Sequence, residues 1–271
     1  MRMTTTGIGD PPLIFVHGFA CDGTDWQAQC ESLDKRTTVI VCELPGHGSS
    51  PGTPAECTIE AYGAAVAKIA RELPSRSAIL VGHSMGCRVV LEANRVQSDA
   101  VSGLVLVDGS RISSGDPIAA EQAMADELAG DGYRRFVRDF FESMFFPSSN
   151  PALAKAIIER ALRFPPGLGR TLMTDLAGWD ARDMESALDS VDVPVLAIQS
   201  TTLDTARQRV SLEPGLSSPW LELVSAHVPS AGIEMLHGYS HFPQIELADE
   251  VTTLIADRAW PASHRYVGGR T

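Results

Sequence analysis

The stretch AILVGHSMGCRVVLEANRV, residues 78–96, decides the fold of this chain. An apolar run, Ala78–Val81, leads into Gly82-His83-Ser84-Met85-Gly86, and apolar residues then recur at helical spacing as far as Val96. A G-x-S-x-G sequence between a strand and a helix is typical of a sharp turn that lifts a serine side chain above the edge of a sheet. The glycines suit so tight a turn, because its flanking positions have no room for side chains. The context predicts Ser84 as a nucleophile.

Strands and helices alternate on both sides of this turn. Continuous apolar runs indicate strands buried on both faces, and apolar residues at three- and four-residue spacing indicate the helices that cover them. The predicted strands are Leu13–His17, Thr38–Cys42, Ala78–Gly82, Leu104–Asp108, Val195–Gln199 and Ile233–Leu236, with Arg2–Thr6 as a candidate edge strand. The predicted helices are Thr58–Leu73, Met85–Val96 and Ile245–Trp260. The pattern predicts an α/β fold with a mostly parallel sheet and helices on both faces.

The alternation breaks between residues 112 and 190, where helical segments, prolines and aromatic residues occur without a convincing strand. We therefore expect one core domain, residues 1–111 and 191–271, with a helical cap of residues 112–190 inserted into it. Ordinary helix packing accounts for most of the apolar residues in the cap. The dense group Phe140–Phe146 also suits the wall of an apolar cavity, and the candidate pocket residues are Phe141, Met144 and Phe145.

Composition narrows the class of protein. A formal net charge of −12 disfavours nucleic acid and anionic membranes as partners, because both would repel the chain. The five cysteines are irregularly spaced, which indicates reduced thiols in a cytoplasmic protein and disfavours a zinc site. Residues 13–16 are too short an apolar run for a signal sequence or a membrane span. The expectation is an enzyme without metal or cofactor.

The order of motifs resembles that of the α/β-hydrolase superfamily over nearly the whole chain. The segment LIFVHGF, residues 13–19, looks like the strand and turn that supply one oxyanion donor in that family, and ELPGHGSS, residues 43–50, is similar to its D-L-P-G-H-G-x-S loop. The resemblance implies that the backbone N–H groups of Phe19 and Met85 form the oxyanion hole. The same resemblance implies that His17 and His47 shape the site and take no part in the reaction.

The predicted base follows the last strand. Gly238-Tyr239-Ser240-His241 resembles the G-x-G-H turn of the family, and His241 fits the general base that a serine nucleophile requires. His237 is the rival, whereas His227 and His264 match no motif.

The acid that orients His241 is less clearly marked. In the order nucleophile, acid, histidine, it should follow the strand Val195–Gln199, where the family usually has G-x-x-D. This chain has Ser200-Thr201-Thr202-Leu203-Asp204, with the carboxylate one residue late. Asp204 is the predicted acid, and Asp108 is the alternative because some members of the fold take the acid from the earlier strand. A carboxylate partner is expected to raise the pKa of His241.

A serine, a base and an oxyanion hole perform acyl transfer. The predicted protein is a serine hydrolase of carboxylic esters or lactones, with a small apolar substrate. Haloalkane dehalogenases and epoxide hydrolases of the fold carry aspartate at the position of Ser84, which argues against both. The alternatives are a carbon–carbon bond hydrolase of aromatic breakdown products and a small-ligand receptor built on the same fold.

Overall fold

Seven of the strands form one sheet in the computed structural model, which describes residues 1–204 and 208–259. The strands are β1 (Arg2–Thr6), β2 (Leu13–Val16), β3 (Val39–Glu43), β4 (Ala78–His83), β5 (Val101–Val107), β6 (Val195–Gln199), β7 (Thr201–Leu203), β8 (Arg209–Ser211) and β9 (Gly232–Met235). The order in the large sheet is β1-β3-β2-β4-β5-β6-β9, with β1 antiparallel and the other pairs parallel. β7 and β8 form a separate antiparallel pair.

Helices cover the sheet, and from β2 to β6 at least one helix lies between each strand and the next. The helices are α1 (Gln27–Leu33), α2 (Ile59–Glu72), α3 (Met85–Val96), α4 (Pro117–Glu127), α5 (Gly132–Glu142), α6 (Pro151–Leu162), α7 (Pro166–Arg182), α8 (Met184–Asp189), α9 (Pro219–His227), α10 (Pro243–Glu246) and α11 (Ala248–Ala259). The predicted α/β class and mostly parallel sheet are confirmed.

Most predicted bounds lie within one or two residues of the observed ones. β5 starts at Val101, earlier than predicted. Ser102 and Gly103 interrupt the apolar run, so the sequence pattern did not reveal this part of the strand, although its backbone pairs with β4 across a register shift. The β7–β8 pair was not predicted, since its strands have only three residues each. The predicted last helix is two helices, α10 and α11, and its final residue Trp260 lies outside the described residues, as does His264.

Alternate side chains of the strands face two apolar clusters, one on each side of the sheet. In β2, Ile14 and Val16 belong to one cluster, whereas Leu13 and Phe15 belong to the other. Both sets are fully buried, which explains why the strand is apolar throughout its length.

Five helices, α4 to α8, and no strand lie between β5 and β6 within the described residues. Their buried residues, including Met124 and Trp179, belong to the same cluster as Ile14 and Val16 of the sheet. We refer to residues 112–190 as the cap segment; its division from the core as a separate domain stays a prediction. No helix within residues 1–204 and 208–259 is long and apolar enough to cross a membrane.

Candidate active site

Ser84 lies at the turn between β4 and α3, in the position that the sequence predicts. Its backbone has φ 54° and ψ −114°, a conformation that residues other than glycine rarely adopt. A β-carbon on Gly82 would lie 2.3 Å from the carbonyl oxygen of Gly86, and one on Gly86 would lie 2.4 Å from that of Val16. Only glycine fits either position, and because glycine has no side chain the turn can lie directly against β2. Strain of this kind is concentrated at functional sites.

The two predicted oxyanion donors belong to segments that flank Ser84. Met85 is the first residue of α3, where a backbone N–H has no acceptor within the helix. Phe19 lines the same small cavity as Ser84, and a β-carbon on Gly18 would lie 3.3 Å from Ser84 Cβ. The loop after β2 therefore lies directly beside the serine, as the oxyanion assignment requires.

His241 lies between β9 and α10 and lines the cavity that contains Ser84. Its Nδ1 lies 2.5 Å from Oδ2 of Asp108, so the proton of the neutral ring lies on Nδ1. Among residues 1–204 and 208–259, His241 Nε2 has no hydrogen-bond partner. The ring thus has the tautomer in which Nε2 can accept a proton.

The carboxylate next to His241 is that of Asp108 and not that of Asp204, so the structure corrects the predicted pairing. Asp108 directly follows β5 and is completely buried. Asp204 follows β7 on the surface, and its carboxylate accepts the backbone N–H of Gln208 at 2.8 Å. The chain turns into the β7–β8 pair after Ser200, and that turn leads Asp204 away from the sheet edge where His241 lies.

Asp108 is surrounded by donors from the segment that follows β6. Its Oδ1 accepts the backbone N–H groups of Ser200 and Thr201 at 2.7 and 2.9 Å. Its Oδ2 accepts the Thr201 hydroxyl at 2.5 Å, and Nη1 of Arg209 lies 3.5 Å from the same oxygen. Sequence reasoning missed Thr201 and Arg209, since neither belongs to a motif. Their tertiary position alone brings them to Asp108.

The ionisation of this pair follows from its surroundings. Burial alone would raise the pKa of Asp108, but the hydrogen bond from His241 and the charges of His241 and Arg209 hold it below its usual range. Burial, and after it the charge of Arg209, lowers the pKa of His241 to about 4, although Asp108 acts in the opposite direction. The prediction of a raised pKa for His241 is therefore wrong, because it left out burial and Arg209.

Other histidines near the site have structural contacts. His17 Nδ1 lies 2.8 Å from the Gly18 carbonyl, and its Nε2 accepts the backbone N–H of Leu44. His83 Nε2 lies 2.7 Å from the carbonyl of His241 and so helps to fix that loop. Burial lowers the pKa values of both histidines, so both are neutral at neutral pH. His237, the rival base, pairs through Nδ1 with the Leu212 carbonyl at 2.8 Å.

The predicted pocket residues divide into two kinds. Phe141 and Met144 line the cavity beside Ser84, and the Met144 carbonyl accepts the backbone N–H of His241 at 3.1 Å. The ring of Phe145 stacks on Phe242, with centroids 5.4 Å apart. Phe141 and Met144 can therefore contact a substrate directly, whereas Phe145 supports the loop that carries His241.

The cavity beside Ser84 has a volume of about 10 Å³, which suffices for about one water molecule. A neighbouring cavity of about 260 Å³ lies between the cap segment and the β7–β8 pair. Phe140 lines both cavities and so lies between them. The larger cavity has a mixed lining. Its apolar residues are Ile112, Met124, Phe136, Phe140, Met173 and Leu203, and its polar and charged residues are Glu127, Arg135, Asp139, Ser143 and Gln208.

Known proteins resemble this chain over most of its length. A model of the alpha/beta hydrolase family matches residues 13–254. The pimeloyl-(acyl-carrier protein) methyl ester esterase of Nitrosomonas europaea is 26% identical over 258 residues, which cover 92% of this chain and 96% of that protein. The protein of the same name from Vibrio cholerae is 26% identical over 242 residues, covering 80% of this chain and 87% of that protein.

Two solved structures share the fold of this chain. A thermophilic esterase from Thermogutta terrifontis superposes with a TM-score of 0.76 at 24% identity, covering 95% of this chain and 92% of its own. Est816, described as an enzyme that degrades N-acyl homoserine lactones, superposes with a TM-score of 0.77 at 19% identity and covers 94% and 95% of the two chains.

Proposed function

The chain belongs to the alpha/beta hydrolase family, and we propose that it is a serine hydrolase that cleaves carboxylic esters, lactones included, through an acyl-enzyme. One observation carries the proposal: His241 is hydrogen-bonded to Asp108 through Nδ1, its Nε2 lacks a partner among the described residues, and His241 lines the same cavity as Ser84. The relatives from Nitrosomonas europaea and Vibrio cholerae are named as methyl ester esterases, so action on ester bonds is the reaction type that the chain shares with them.

In the proposed reaction, Ser84 Oγ attacks the ester carbonyl and His241 Nε2 takes the hydroxyl proton. Asp108 keeps the other ring proton on Nδ1 and stabilises the imidazolium that forms. The backbone N–H groups of Phe19 and Met85 stabilise the negative oxygen of the tetrahedral intermediate. His241 then gives its proton to the leaving alkoxide, and water cleaves the acyl-Ser84 ester with the same base.

We propose that the acyl or ring portion of the substrate occupies the cavity of about 260 Å³. The space beside Ser84 has room for about one water molecule, so the acyl or ring portion must extend past Phe140. The apolar part of that lining, which includes Phe136, Phe140 and Met173, suits the small hydrocarbon group of an ester or lactone. The charged part, Glu127, Arg135 and Asp139, leaves room for a polar end on the same group.

Ser84→Ala tests the reaction. The variant should lose hydrolysis of p-nitrophenyl acetate and labelling by a fluorophosphonate while its thermal unfolding stays unchanged. Ser114→Ala, an exposed serine in the cap segment, is the matched control and should retain both. Hydrolysis by Ser84→Ala well above the buffer blank would refute the proposal. Steady hydrolysis over many turnovers supports an enzyme, whereas labelling after a single turnover supports the receptor alternative.

Phe140→Ala tests the site of the acyl group. Opening the boundary between the two cavities should raise kcat/KM for p-nitrophenyl hexanoate relative to the acetate. Met173→Trp, which fills the larger cavity, should lower the same ratio. An unchanged ratio in both variants would place the acyl group elsewhere.

A further inference from the structure

Arg209 is an arginine with almost no exposure to water, at the start of β8. Its Nη1 donates to the Thr201 hydroxyl at 2.9 Å and lies 3.5 Å from Asp108 Oδ2, and its Nη2 lies 3.3 Å from Ser110 Oγ. Burial lowers the pKa of Arg209 to about 10 although Asp108 acts against that change, so the side chain is charged at neutral pH. A buried cation needs a partner, and here the partner is the carboxylate that holds His241.

A purely structural role accounts poorly for this placement. Removing two charges from water costs several kcal/mol per ion, and apolar residues of similar size often give equal or better stability. Ordinary packing against β5 would therefore not require a guanidinium. Within residues 1–204 and 208–259, Arg209 is the one arginine or lysine within ion-pair distance of Asp108.

We propose that Arg209 is a positioning residue for the His241 base, acting through Thr201 and Asp108. This inference rests on the proposed serine hydrolase function. Arg209 holds the Thr201 hydroxyl as an acceptor, which directs the hydroxyl proton to Asp108 Oδ2. The carboxylate is thereby fixed at Oδ2, the oxygen that accepts the hydrogen bond from His241 Nδ1–H.

Arg209 also sets the charge balance at His241. The charged or titratable groups around the ring are Asp108 at the end of β5, Arg209 on β8, Arg88 on α3 and His83 on β4, which is neutral. Arg209 disfavours the imidazolium, whereas Asp108 favours it. The result is a base that stays neutral in mild acid and has a lower intrinsic basicity, which reduces its driving force for proton transfer.

The test is a titration of His241 by NMR in the full chain, with labelled histidine and with His241→Gln to assign the signal. Between pH 7.5 and 5.5 the wild-type ring should stay neutral, and its protonation should begin only below about pH 5. Arg209→Gln removes the charge and keeps a hydrogen-bonding group, so the midpoint should move upward by about one pH unit or more. Arg209→Lys keeps a cation and should return the midpoint toward that of wild type.

Arg111→Gln is the matched control, because Arg111 follows Asp108 by three residues and pairs with Glu185. It should leave the His241 titration unchanged. A folded Arg209→Gln variant with the wild-type titration would overturn the proposal.

If Arg209→Gln alone does not fold, Asp108→Asn is compared with Asp108→Asn/Arg209→Gln, in which no charge of the pair is left unpaired. The double variant should have the higher His241 midpoint, by about one pH unit, and equal midpoints would overturn the proposal. The titration uses no substrate. A failure of the proposed esterase reaction in Ser84→Ala therefore remains distinguishable from a failure of this inference.

Discussion

The carboxyl ends of β5 and β6 are neighbours in the sheet. The chain after β5 supplies a hydrogen-bond acceptor, and the chain after β6 supplies the donors to it. Asp108, with φ 46°, directly follows β5, and its carboxylate accepts the hydrogen bond from His241 Nδ1. β6 ends in Gln199, and the next two residues donate two backbone N–H groups and a hydroxyl to that carboxylate. In this chain the segment after β6 holds the proposed acid and does not supply it. The proposed serine hydrolase site thus takes its carboxylate from the residue that follows the adjacent strand, β5.

The largest expected effect comes from the carboxylates themselves. Asp108→Asn should lower kcat by roughly four orders of magnitude, because the amide can no longer select the Nδ1-H tautomer or stabilise imidazolium. Asp204→Asn is the matched control and should retain activity within about tenfold, since its carboxylate lies on the surface. Both are measured with p-nitrophenyl acetate after a check of thermal unfolding. The reverse outcome would return the acid to the segment after β6.

The second effect is the pH dependence. The proposed reaction requires neutral His241, whose lowered pKa of about 4 means that protonation begins only in distinctly acid solution. The acid limb of kcat/KM should therefore have its midpoint well below the pKa of about 6.5 of a free histidine. At pH 5 the difference amounts to roughly thirtyfold in the fraction of active enzyme. A profile with a midpoint between 6 and 7, in protein shown to be folded by circular dichroism, would contradict the burial and charge argument.

A smaller effect is expected for the hydroxyl that the β6 side contributes. Thr201→Val removes the donor to Asp108 Oδ2 and should lower kcat by about tenfold with KM nearly unchanged, the value of one hydrogen bond. Thr202→Val is the control on the same strand, because the Thr202 hydroxyl has no hydrogen-bond partner among the described residues. Equal activities of the two variants would mean that the backbone N–H groups suffice to hold Asp108.

The smallest effect concerns the link between the two strand ends. Gln199 is buried, and its Nε2 lies 2.9 Å from the Gly109 carbonyl and 2.7 Å from that of Thr201. Gln199→Leu leaves both acceptors unpaired and should destabilise the fold by about 1–3 kcal/mol, or a few degrees in Tm. Gln208→Leu, at an exposed position, should leave Tm unchanged. Equal Tm values would show that Gln199 does not join the two ends.

Local sequence predicted those parts of the molecule whose conformation depends on neighbouring residues. The turn at Ser84 needs glycines at fixed positions, and the buried strands need continuous apolar runs, so both can be read from a few adjacent residues. The β7–β8 pair escaped prediction because two strands of three residues carry no distinct periodicity. Its presence is also the reason why Asp204 lies on the surface.

The sequence by itself therefore determined the α/β architecture, the place of Ser84 at a strand–helix turn and the loop that carries His241. Tertiary structure alone decided which carboxylate meets that histidine. The pairing of Val107 with Ile198 aligns β5 with β6, so that Asp108 lies beside Ser200 and Thr201. Arg209 reaches the same carboxylate from 101 residues farther along the chain. Contacts between such distant residues depend on strand register and loop path, and no local pattern encodes the burial and charge that set the pKa of His241.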